Sequence, residues 1–231
     1  MCVRERKQQM KLWIAAPSLW LAYDVTDRAG LQALLPTHLT LASVPVLAAD
    51  GRRGGQPLGP KLLFNAYDLQ AQWMVGHRVD VQTVAVDKRK GTVHLVVLDC
   101  LTNTLHWNPR DGVAWPNAVA TRPGAHTHDF ALRVVDKART KRLEVRGARG
   151  GRHVELGWRF AVEANRMCYF GDHPVGYSMA FSEYAIAKPV RPLRVAHHEN
   201  SFWTEHRAEE PSHAFYHEHP MLFDVDVDDF R

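Results

Sequence analysis

The chain has 231 residues, 45% hydrophobic and 23% charged, with a formal net charge of +4. That length fits one large or two small domains, and the balance is that of an ordinary soluble globular protein. The basic residues are scattered among acidic ones, which argues against a nucleic-acid groove, because such a groove gathers its charge on one face.

Along the chain, residues 1–11 read as a disordered basic tail, and Leu12–Tyr23 is apolar. Together they mimic the charged and apolar regions of a signal peptide. Pro17 interrupts the run, no small-x-small cleavage site follows, and the run is too short to cross a bilayer. It therefore reads as a first strand entering the core, and no membrane partner is expected. Thr26-Asp27 predicts a helix N-cap before Arg28–Leu35; Leu31, Leu34 and Leu35 share one face, and Pro36 stops the helix.

The pattern then turns to strands. Leu39–Ala49 is apolar and β-branched, Asp50–Pro60 is a Gly- and Pro-rich loop, and Lys61–Leu69 is the next strand. Arg78–Asp87 alternates, with Val79, Val81, Thr83 and Ala85 on one face and Arg78, Asp80 and Gln82 on the other. Lys88–Gly91 predicts a hairpin turn in which Gly91 supplies a positive φ. Thr92–Thr104 is apolar on both faces, as expected of a central strand. Trp107–Pro123, with three prolines, reads as a loop. Phe130–Val135, Arg142–Ala148, Arg152–Ala164, Tyr177–Ile186 and Val190–Trp203 read as extended, and Arg152–Ala164 alternates most cleanly. Met221–Val227 is an apolar, then acidic, tail. No linker cuts the chain. The expectation is one mainly β domain over 12–231, a closed or nearly closed antiparallel β cone or barrel with a few short helices.

Cys2, Cys100 and Cys168 show no CxxC spacing and read as reduced thiols of a cytoplasmic protein. The fourteen histidines include His126-Thr127-His128 and His217-Glu218-His219, and an HxH pair on a strand puts two imidazoles on one face. A cupin-type site would need a Glu a few residues on, and Asp129-Phe130-Ala131-Leu132-Arg133 supplies none. No metal and no cofactor are assigned. No GxSxG elbow surrounds Ser178, and Gly51, Gly54, Gly55 and Gly59 form no nucleotide-binding loop. Asp99, Glu155, Glu163 and Glu183 lie on strand candidates, where carboxylates ordinarily face water or pair with a base.

Several segments resemble the front half of the acetoacetate decarboxylase-like superfamily. Gly30–Leu41 is similar to its opening of short helix, Leu-Pro and L-x-L strand. Lys61–Asp68 is similar to the strand that follows, Val75-Gly76-His77-Arg78 to its V-G-R-E step, and Val84–Leu98 to the strand–turn–strand after it. This covers about a third of the chain. The resemblance implies a largely antiparallel β cone or barrel around a small-molecule pocket, and members that often assemble, so a homo-oligomer is implied with it. The family's decarboxylases form a Schiff base on a lysine whose pKa an adjacent lysine lowers.

The chain departs from the pattern where that chemistry sits. After Gly76-His77-Arg78 come Val79-Asp80-Val81-Gln82-Thr83, without the P-K-K step. Lys88 and Lys90 flank Arg89 in an expected exposed turn, and Lys61 reads as an exposed strand-end residue that could in principle line the pocket. Schiff-base catalysis is therefore not carried over, and the catalytic residues stay unknown. Arg78, as a carboxylate clamp or the partner of Asp80 or Asp99, and His77, as acid, base or strand-edge residue, are the first ligand-binding candidates. Asn65, His94 and Lys61 follow. The leading expectation is a small-molecule binder, or a lyase-like enzyme without the Schiff base, acting on an organic acid or hydrophobic metabolite. A metal-dependent β-barrel enzyme using the C-terminal histidines, and a structural or interaction domain, are the rivals.

Overall fold

The computed structural model describes residues 10–43, 59–71, 74–91, 93–104, 106–108, 112–114, 116–121, 129–150, 167–170, 176–181, 191–217 and 221–226. Its elements are β1 (Met10–Asp24), α1 (Arg28–Ala33), β2 (Leu39–Leu41), β3 (Lys61–Ala71), β4 (Met74–Asp87), β5 (Val93–Thr102), β6 (His106–Asn108), β7 (Gly112–Ala114) and β8 (Ala118–Thr121). They continue with β9 (Asp129–Asp136), β10 (Arg142–Arg149), β11 (Met167–Phe170), β12 (Gly176–Phe181), β13 (Arg191–Asn200), β14 (His213–His217) and β15 (Met221–Asp226).

The helix forms where its cap predicts. Asp27 Oδ1 accepts the Gly30 N–H at 2.9 Å, and Leu31 is buried. The hairpin between β4 and β5 turns at Gly91 with φ +67°. Strand β1 starts at Met10, so the last two residues of the expected tail belong to it. The expected loop over Trp107–Pro123 instead holds β6, β7 and β8, because short strands tolerate prolines between them. The expected strand Arg152–Ala164 and the pair His126/His128 lie outside the described residues, as do residues 44–49 of the expected strand Leu39–Ala49.

Hydrogen-bonded neighbours run β15-β12-β11-β5-β4-β3-β1, and β15 also pairs with β1. These seven strands therefore close a ring. Every ladder in it is antiparallel except β5–β11, which is parallel. From β1 the sheet also leaves the ring through β14, β13, β10, β9 and β8. β1 belongs to both arms. Residues 10–14 pair with β15 and residues 18–22 with β14, and the register of β1 on β3 shifts between Ala15 and Ser18. Pro17 lies in that gap, where its missing N–H costs no ladder bond.

One face of β1, β3 and β4 packs on the second arm. Leu19, Leu21, Leu62, Phe64, Val79 and Val81 join Phe130, Leu132, Leu143 and Val145 in the main core. Alternation puts Ser18, Trp20, Asn65, Tyr67, Arg78, Asp80 and Gln82 on the opposite face. A closed ring has one inner face. Since the first face is covered by the second arm, the second lines the ring's interior.

Candidate functional site

The interior of the ring carries a row of polar side chains in register. Trp20 faces Asn65, Asn65 faces Asp80, and Asp80 faces Cys100; one step along, Ser18, Tyr67, Arg78 and Thr102 stand opposite one another. All eight are buried. A β-bulge in β5 between Asp99 and Val97 then changes which residues of that strand face inward, so Val97 opposes Gln82.

Buried polar groups must find partners, and here most of them do. Arg78 Nε donates to Asp80 Oδ1 at 2.7 Å. Tyr67 OH donates to Asp80 Oδ2 at 2.8 Å, and Ser18 Oγ donates to Asn65 Oδ1 at 2.9 Å. Gln82 Nε2 lies 3.5 Å from Asp80 Oδ2, while Gln82 Oε1 is buried without a partner among the described residues. Burial pushes the Tyr67 hydroxyl well above its ordinary pKa, with Arg78 pulling it down and Asp80 adding to the rise. The Cys100 thiol is likewise pushed up by burial, against the pull of Arg78. Tyr67 therefore acts as a hydrogen-bond donor, and Cys100 is an inert thiol rather than a nucleophile.

The predicted site residues separate. Arg78 and Asn65 come together on this inner face, and Asp80 is the partner Arg78 takes. His77 points the other way, half-exposed, with Nδ1 2.5 Å from Asp68 Oδ1. His94 is buried opposite Ala85, beside the small cluster of Leu35, Leu39, Ala85 and Val96, and on the face opposite Gln82. Lys61 corrects an expectation. It is only 3% exposed, because its ammonium is held by Asp24 and donates to Ser212 Oγ at 2.9 Å. It shares the inner-face alternation of Asn65 but lies four residues along β3, on the order of 13 Å away.

Asp80, Tyr67, Ser18 and Gln82 were not among the predicted ligand-binding residues. The alternation of β4 already placed Asp80 and Gln82 beside Arg78; no local signal linked them to Ser18 or Tyr67. Of the carboxylate candidates, Asp99 is bonded to the Cys100 N–H and to Trp203 Nε1, and Glu155, Glu163 and Glu183 lie outside the described residues. Among the described residues no group of three or more His, Cys, Asp or Glu is placed to hold a metal, and no helix is long and apolar enough to cross a membrane. The second histidine of His217/His219 lies outside them.

No family model and no curated protein sequence matches this chain. Among solved structures, the fold is similar to the crystal structure of acetoacetate decarboxylase from Legionella pneumophila subsp. pneumophila, with a TM-score of 0.56 and 10% sequence identity over 94% of this chain and 84% of that chain. The likeness is one of fold.

Proposed function

We propose that this chain binds a small organic acid or hydrophobic metabolite inside its β ring, and that it does so without Schiff-base chemistry. The observation that carries this reading is the buried polar row of Ser18, Asn65, Tyr67, Arg78, Asp80 and Gln82, in which the Gln82 Oε1 acceptor has no donor among the described residues. A ligand hydroxyl or amide would satisfy it, as would a trapped water that the ligand displaces. Because Asp80 already balances Arg78, an acid would be held by hydrogen bonds more than by net charge.

The second half of the proposal rests on what surrounds the lysines. A Schiff-base lysine needs its ammonium form destabilised, by a cationic neighbour or an apolar pocket, to free its lone pair. Lys61, the buried lysine among the described side chains, has a carboxylate and a serine beside it instead. A reducing, cytoplasmic setting belongs to the same reading, supported by the free buried thiol of Cys100.

Calorimetric titration with short keto, hydroxy and branched-chain acids and their methyl esters tests the binding. Saturable uptake that weakens in Gln82→Leu and Arg78→Met is expected; a full panel without heat or change in melting would refute it. Borohydride reduction in the presence of acetoacetate should leave every lysine unmodified. An adduct on Lys61 would overturn the second half.

A further inference from the structure

β13 and β14 are paired only through Arg191 with Tyr216 and Pro192 with Phe215. Past that point β13 follows β10 while β14 follows β1. The divergence opens a cleft of about 400 Å³ between residues 193–198 and residues 210–214. Its lining is mainly polar, from His197, His198, Glu210, Ser212 and His213, with Val195, Pro211 and Ala214 adding a smaller apolar part.

The protons on that wall can be followed one at a time. A carboxylate only accepts, so His198 Nδ1, 3.0 Å from Glu210 Oε2, carries the hydrogen. His198 Nε2 then accepts from the Tyr23 hydroxyl at 2.6 Å, and that oxygen accepts from Asn200 Nδ2 at 3.0 Å. Burial first, and Arg207 as well, lower the pKa of His198 against the pull of Glu210, which keeps the ring neutral. Across the cleft, Ser212 Oγ gives its single proton to Ala22 O at 3.1 Å and accepts from Lys61. His213 Nδ1, 3.1 Å from Ser212 Oγ, must therefore be the donor in that contact. Burial and the charge of Lys61 hold His213 neutral too. Its Nε2 is a lone pair that takes no hydrogen bond among the described residues.

The side-chain donors of Ser212, His198 and His213 are thus spent inward. Of these side chains, Glu210 offers a ligand its second carboxylate oxygen and His213 its Nε2, while His197, which also lines the cleft, lies 3.9 Å from Glu144. No lysine or arginine is among the described residues that line it. Lys61 and Arg207, on the walls behind it, are each 3% exposed, one held by Asp24 and the other by the carbonyls of Phe202, Ala208 and Glu209, whereas Arg194, between the lining residues Leu193 and Val195, is exposed. The side chains of Asp24 and Glu210 are by contrast 58% and 69% exposed.

We propose that this cleft is a binding site for a small organic ammonium ion, whose apolar body lies against Val195 and Ala214 and whose N–H groups donate to Glu210 and His213. The site is separate from the ring interior and stands or falls independently of it.

The test uses the full chain at pH 8 and three probes of one shape: 2-phenylethylamine, 2-phenylethanol and 3-phenylpropionate. Calorimetry should give saturable binding of the amine alone, and NMR should show the His213 ring resonances moving with it. Glu210→Gln removes a charge-assisted bond and should weaken the amine by at least about tenfold. Ala196→Trp, at an exposed lining position, should fill the cleft and abolish binding without changing the melting temperature. No amine binding, equal binding of the alcohol or the acid, or unchanged affinity in either folded variant would overturn the proposal.

Discussion

Arg78 and Asp80 stand two residues apart on β4, point the same way, and are joined at 2.7 Å with both side chains below a tenth exposed. An ion pair so deeply buried gains little over an apolar pair of the same size, yet breaking it strands a charge. Arg78→Met should cost about 3–5 kcal/mol in urea unfolding, and adding Asp80→Leu should restore much of that loss. Equal loss in the single and double variants would show that the pair is not the unit.

Tyr67 tests the same carboxylate from the other side. Its hydroxyl donates to Asp80 Oδ2 at 2.8 Å within the buried row. Tyr67→Phe keeps the ring and removes the donor, so stability should fall by about 1–3 kcal/mol. A neutral result in chemical denaturation would mean that water replaces the hydroxyl.

The turn after β4 makes a prediction about acid. Asp87 is held down at about 2, chiefly by hydrogen bonds from the Arg89 side chain, with burial opposing and the Arg89 N–H adding to the fall. An unfolded aspartate titrates near 3.9, so the folded value is the lower one. The carboxylate therefore stabilises the fold above about pH 4, and the contribution drains away as pH falls through about 2. Asp87→Asn should be most destabilising near neutral pH and converge on the wild type as pH falls to about 2 and below. A constant difference over that range would contradict it.

Gly147 lies at the bulge of β10 against β13, where an added Cβ would come within 2.5 Å of the Arg194 carbonyl oxygen. Backbone cannot step aside cheaply, so Gly147→Ala should cost about 1–3 kcal/mol. Gly150→Ala, with none of the described residues within 4 Å of the new carbon, is the matched control and should change the unfolding midpoint little.

How much of the fold is legible in the sequence depends on distance along the chain. The period-2 pattern of β4 gave its two faces correctly, and the Asp27 cap and the Gly91 turn are encoded within a few residues. That the polar face of β4 is enclosed was not legible, because the ring is closed by β11, β12 and β15, which lie far along the chain. The same pattern on an open sheet would face water. Lys61 was misread for a related reason: its burial depends on Ser212, some 150 residues later. The strand His213–His217 has no counterpart among the expected strands, where His217 stands only as half of an HxH pair. Tyr23, His198 and Glu210 meet from three separate regions, and no spacing announces such a meeting.

The division of β1 at Pro17 has a consequence in time as well as in space. Its first half is bonded to residues 221–225 and its second to residues 213–217, so the first strand of the ring cannot be completed until nearly the last strand exists. On a ribosome, β1 would wait with one edge unpaired until residues 213–225 emerge, holding only β3. Folding that depends on such distant partners is slow and leaves a sticky edge exposed meanwhile. The strand that joins the two arms of the sheet is therefore also the step at which assembly is most easily lost to aggregation.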